Sequence, residues 1–275
     1  MKKFITYIMA VIVVSALASC SKFLDVNENP NAPSDVPVEQ LLPNTLVSSV
    51  NIEIIGISNS PGVSGSLNQL GSVWGGYWAK ATNGPSAASL FLLEETYAVE
   101  AMASDRDGRN FWEDIYRILT NYRNIETKAA QGNDLAYAGI AKIMQGWHFM
   151  RLVDLYNNVP FDEALQGTGN ATPAFEDGQT VYEKSVNLIT AGITDIKSAD
   201  PFSKHPAADD ILFTGDLARW IKFANTIKLR ALLRQSQTGN TAYINAELAK
   251  IAAEGSGFLS VGESAQVNPG YTDGT

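Results

Sequence analysis

The sequence predicts a mostly α-helical protein assembled from helix hairpins, and three observations carry that prediction. Two adjoining stretches, 111–130 and 136–156, repeat apolar residues at helical spacing on either side of a short Gly132-Asn133 turn. A second such pair follows, at about 180–196 and 217–232. No run of alternating apolar and polar residues is long enough to build a sheet.

At the N-terminus, Lys2 and Lys3 precede an uncharged, mostly apolar run from Phe4 to Ala18, the basic and apolar regions of a secretory signal peptide. The run falls short of the about 20 residues a transmembrane helix needs. Leu17-Ala18-Ser19-Cys20 then places the single cysteine of the chain first after the cut. There the sulfur can carry a diacylglycerol and the freed α-amine a further acyl chain, which is the logic of a bacterial lipoprotein signal. Residues 1–19 are thus expected to be removed and Cys20 to be the membrane handle. Loss of Lys2 and Lys3 takes the formal charge from −9 to −11, which argues against nucleic acid as a partner. With its one thiol lipidated, the chain has no internal disulfide, so an exported fold rests on packing, and 45% hydrophobic residues permit that.

Residues 20–40 read as a lipidated, extended tether. The text is polar from Ser21 to Pro43, and Asn29-Pro30-Asn31-Ala32-Pro33 and Pro37 interrupt any helix. The body is expected over 41–275. Leu42, Leu46 and Val50 begin a first helix, and Leu67, Leu70, Trp74 and Trp78 mark another beyond a Gly- and Ser-rich loop from Gly56 to Gly65.

Phe111, Ile115, Ile118, Leu119, Tyr122 and Ile125 form one stripe, and Ile140, Ile143, Met144, Trp147 and Met150 form its partner. Small Ala138, Gly139 and Ala141 allow close approach. The second arm should stop at Asn157-Asn158, ahead of Pro160. Thr180 and Glu183 suggest a capping box before the stripe Tyr182, Val186, Ile189, Ile193 and Ile196. Asp216 can cap a helix that turns Trp220, Phe223, Ala224 and Ile227 inward and Arg219, Lys222 and Arg230 outward. A last helix spans about Ala242–Ala253, with Gly255 just past its end. The breaker-rich close, Asn268 to Thr275, has no final element and predicts a fragment.

Three stretches carry a family resemblance: Cys20 followed by Phe23-Leu24-Asp25 and Asn29-Pro30-Asn31; Arg151-Leu152-Val153-Asp154-Leu155-Tyr156-Asn157-Asn158-Val159-Pro160-Phe161; and the run Gly215 to Arg230 with Trp220 and Asn225 inside it. With them the chain resembles the SusD/RagB family of nutrient-binding outer-membrane lipoproteins. The resemblance implies an irregular body of tetratricopeptide-like helix pairs, about half of which is present here. It further implies a hinged lid on a SusC-like TonB-dependent β-barrel, which captures oligosaccharide or another nutrient and does no chemistry on it. Ser21-Lys22-Phe23 lacks the acidic cluster that often marks surface export in such lipoproteins, so surface exposure would rest on the barrel partner.

A sugar binder needs flat apolar faces for pyranose rings and polar groups for hydroxyls. Residues 71–83 offer both, and Trp74, Tyr77, Trp78 and Asn83 are the candidate ligand-binding residues; the two tryptophans would equally serve as core. Trp112, Trp147 and Trp220 sit on apolar stripes and are assigned to packing. Catalytic constellations are poorly represented. His148 and His205 stand at no metal-ligand spacing, Gly62-Val63-Ser64-Gly65-Ser66 misses the nucleophile elbow, and no phosphate loop occurs. Asp105, Asp107 and Asn110 have a faint calcium-loop look without the fuller pattern, and Asp107 or Asn110 capping the helix at Phe111 explains them better; Glu94-Glu95 and Glu113-Asp114 read as solvated faces rather than paired catalytic carboxylates. No cofactor or metal is expected. The competing readings are a secreted glycan hydrolase and a helical scaffold that touches only the barrel.

Overall fold

The computed structural model describes residues 36–55, 66–77 and 111–267. The signal peptide, Cys20 and the tether up to residue 35 lie outside them, as do the loop 56–65, Trp78, Asn83, Glu94, Glu95, Asp105, Asp107, Asn110 and the last residues, 268–275. All seven described α-helices belong to one unit, Pro37–Thr275. They are α1 (Val38–Val50), continued by a π-helical turn (Asn51–Ile55), α2 (Leu67–Trp74), α3 (Phe111–Gly132), α4 (Leu135–Tyr156), α5 (Gly178–Ser198), α6 (Leu217–Arg234) and α7 (Thr241–Glu254).

The helix begins at Val38, earlier than the tether reading allows, and Pro43 lies inside it. Pro37 sits at the N-cap, where no N–H is needed, while Val38, Leu42 and Leu46 are buried. Burying that face outweighs the one backbone bond Pro43 cannot donate. The predicted stripe of α3 is buried from Phe111 to Ile125. Its hairpin with α4 turns at Asn133, whose φ of 58° is the left-handed conformation that asparagine tolerates. Asn157, at φ 63°, ends α4 as expected.

Successive helices pack on one another: α1 on α3, α3 on α4, α4 on α5, α5 on α6 and α6 on α7. This is the tetratricopeptide-like layering of helix pairs, and among the described residues the sole strand-like feature is one antiparallel bridge between Val159 and Glu176. Glycines bring α4 and α5 closest. A Cβ on Gly139 would lie 2.5 Å from the Gly192 carbonyl oxygen, and one on Gly192 would lie 2.6 Å from that of Gly139.

Two sequence expectations are corrected at helix starts. Asp177, not a Thr180–Glu183 box, caps α5, its carboxylate accepting from the Gln179 and Thr180 amides at 3.0 and 3.3 Å. Glu183 instead accepts from the Asn240 side-chain amide at 2.8 Å, which ties α5 to the start of α7. Asp114, expected on a solvated face, is buried beside Arg117, and burial raises its pKa. Asp216 caps α6 as predicted.

Two buried polar groups seat α6. Asp210 accepts from the Leu212 and Gly215 amides and from the Trp220 indole, at 3.1, 2.9 and 2.8 Å, and so locks the approach loop to the helix. Lys228 donates to Thr190 Oγ1 at 2.7 Å and faces Glu247 at 3.6 Å, joining α5, α6 and α7.

Candidate functional site

A cleft of about 650 Å³ opens where α2, the π-helical turn, α4 and α6 meet. One wall is aromatic. Trp74 ends α2 half-buried against the core, and Tyr77, two residues past Gly75, is 85% exposed. The local geometry follows from the glycines. Gly76 adopts φ 71°, the Tyr77 amide donates to the Ser72 carbonyl at 2.8 Å and the Gly76 amide to that of Val73 at 3.0 Å. This pairing is the Schellman stop of a helix, and it delivers Tyr77 to the cleft mouth.

That stop corrects one expectation. The helix predicted to carry Trp74 and Trp78 one turn apart ends at Trp74. Of the four candidate residues, the structure brings Trp74 and Tyr77 together in the cleft, while Trp78 and Asn83 lie outside the described residues.

Trp147, assigned to packing from its stripe, is half-buried and lines the cleft from α4. Its ring meets Phe223 edge-on at 5.2 Å and carries the Arg151 guanidinium over its face at 5.6 Å. Trp112 is likewise half-buried, stacked on Phe175 at 5.7 Å, and Trp220 is fully buried.

The cleft also has an ionic wall. Arg151 grips Glu53 of the π-helical turn with both arms of its fork, Nε to Oε1 at 2.6 Å and Nη2 to Oε2 at 3.0 Å. Asp154, one turn along α4, accepts from Arg234 and from the Tyr182 hydroxyl and lies 3.5 Å from Arg151. Burial raises the Tyr182 pKa to about 12, and the Asp154 carboxylate adds to it. For Arg234 burial works downward, but the bonds to Tyr182 and Asp154 prevail and raise its pKa.

Arg230, one turn before Arg234 on α6, completes the wall. The sequence had placed it simply outward. Among the described residues it makes no ion pair, and burial followed by the like charges of Arg151 and Arg234 lowers its pKa. The sequence signal for this wall was present but divided: Trp147, Arg151 and Asp154 share one face of α4, and Arg230 and Arg234 one face of α6.

Among the described residues no group of three or more His, Cys, Asp or Glu could hold a metal ion. The arrangement of rings beside fixed donors and acceptors suits reversible binding of a polar, ring-shaped solute.

Comparison with known proteins agrees with this architecture. Residues 66–271 match the SusD-like family described as starch-binding and associating with the outer membrane. None of the curated proteins matches the chain in sequence. Among solved structures, a SusD/RagB family protein from Bacteroides thetaiotaomicron superposes with a TM-score of 0.64 at 21% identity, over 84% of this chain and 45% of its own. A SusD homolog from Bacteroides fragilis gives 0.60 at 18% identity, over 84% and 44%. A chitin-binding SusD homolog from Flavobacterium johnsoniae gives 0.51 at 22% identity, over 58% and 34%. The chain therefore spans less than half the length of these structures. With the family matched over most of its length and the layered helix pairs in place, the chain belongs to the SusD/RagB family.

Proposed function

We propose that this chain is the helical part of a lipid-anchored nutrient receptor of the outer membrane, one that binds oligosaccharide and passes it to a SusC-like TonB-dependent barrel. The observation that carries the reading is the cleft, which Trp74, Tyr77 and Trp147 line beside fixed ionic groups. Pyranose rings expose flat C–H faces on one side and hydroxyls around the rim, and such a cleft answers both. The family description as starch-binding and the chitin-binding homolog support glycan as the cargo class. Cys20 supplies the anchor, and Trp78 and Asn83 extend the ligand candidates beyond the described helix end.

Titration of the purified protein with soluble oligosaccharides tests this. Saturable binding without release of reducing ends is expected, and the double substitution Trp74→Ala, Tyr77→Ala should weaken it by about tenfold or more. Reducing ends that accumulate with time would reject the receptor reading in favour of a hydrolase. Undiminished affinity in the folded double variant would dismiss the aromatic site.

A further inference from the structure

We infer that the cleft selects oligosaccharides that carry a carboxylate, and that Arg230 holds it. The inference rests on the glycan-binding reading and adds the charge of the cargo. The cleft is lined by three guanidinium groups, Arg151, Arg230 and Arg234, against two carboxylates, Glu53 and Asp154.

Both carboxylates are committed. Glu53 is bound by both arms of Arg151, and Asp154 by Arg234 and the Tyr182 hydroxyl. Arg230 is left over, with no ion pair among the described residues although it is exposed at the cleft wall. It also lines a second cavity of about 110 Å³, together with Trp147, Arg151, Tyr182 and Arg234.

Three like charges in one wall repel, and partial burial of the Arg230 side chain, followed by that repulsion, lowers its pKa. An incoming carboxylate would relieve the repulsion and match the planar fork of the guanidinium with two parallel hydrogen bonds. The sugar ring bearing it would then be within the cleft that Trp74 and Tyr77 also line.

The full chain carries a formal charge of −9, and −11 without residues 1–19, which opposes a long polyanion. The cargo that satisfies both the wall and the body is therefore a mainly neutral oligosaccharide with an isolated acid, such as a uronic or sialic acid residue.

Calorimetric titration with matched pairs tests this: lactose against sialyllactose, and unbranched xylo-oligosaccharide against the same chain bearing one glucuronic acid. The acidic member of at least one pair should bind about tenfold tighter than its neutral partner. That advantage should shrink with added salt and vanish in Arg230→Gln, where the acidic and neutral members should bind alike. Arg230 is exposed, so the variant should keep the wild-type circular dichroism. Neutral sugars binding as well as acidic ones, or an acid preference that survives Arg230→Gln, would overturn the inference and leave the glycan reading intact. Absence of binding by every member would overturn both.

Discussion

His148 is read in the sequence as a lone histidine between Trp147 and Phe149, and the structure gives that position a definite chemistry. Its Nε2 lies 2.8 Å from Ser49 Oγ, which also meets the Tyr122 hydroxyl at 2.8 Å and donates to the Thr45 carbonyl at 3.0 Å. Since the serine proton goes to Thr45, His148 donates from Nε2, and its Nδ1 is left without a partner among the described residues. Protonating Nδ1 would place a charge in an apolar interior. Burial, reinforced by Arg151, accordingly lowers the pKa from 6.5 to about 3. The unfolded chain thus takes up this proton first as the solution is acidified. The stabilisation is complete above the unfolded pKa of 6.5 and is lost as pH falls toward about 3. The unfolding free energy from urea titrations should therefore drop between about pH 7 and about pH 5, by up to about 1.4 kcal/mol per pH unit from this group. In His148→Phe that decline should be shallower; an equal decline would show that other groups carry the acid sensitivity.

The pairing of α4 with α5 depends on side chains that are missing. Gly139 and Gly146 lie seven residues apart on one face of α4, and a Cβ on Gly146 would meet the Ser185 carbonyl oxygen at 2.8 Å. Such contacts are closer than real Cβ atoms tolerate, so Gly139→Ala must push the helices apart or displace Ile196, 2.6 Å from the new carbon. Overpacking of this kind costs about 1–3 kcal/mol, against a gain in helix propensity of up to about 1 kcal/mol. Gly139→Ala should lower the melting temperature by several degrees, on the order of 2–4 °C per kcal/mol for a domain of this size. Gly169→Ala, with nothing within 4 Å of its new carbon, should leave it unchanged. Equal melting of the two variants would remove close approach as the reason for glycine here. The helices themselves were legible because each buries a stripe that repeats at its own period, as Phe111 to Ile125 does. Their starts were less so. Thr180 and Glu183 satisfy the capping pattern, yet Asp177 starts the helix three residues earlier by taking the Gln179 and Thr180 amides, and choosing between them takes the backbone path.

Legibility of the cleft divides along the same line between local and distant information. Trp74 and Tyr77 stood out because rings and glycines are concentrated in one short segment. The ionic wall did not, because Arg151 meets Glu53 across 98 residues of chain and Arg234 meets Asp154 across 80. Each of these charges, taken on its own helix, looks like part of a solvated face, and only the packing of α4 against α6 turns them inward. Attachment to a membrane poses the reverse case, since its evidence is wholly in the sequence. Among the described residues no helix is long and apolar enough to cross a bilayer, and the apolar run before Cys20 is short for that purpose. A single acyl chain holds a protein only marginally, at about 0.8 kcal/mol per buried methylene, so a stable anchor requires the two or three chains a lipoprotein cysteine can carry. Cells of a Bacteroides host expressing the protein and fed labelled palmitate should therefore mark it. Cys20→Ala should abolish the label and release the protein from the membrane fraction. If Cys20→Ala remains both labelled and sedimentable, acylation occurs at another site; if wild type sediments without label, a different element holds it.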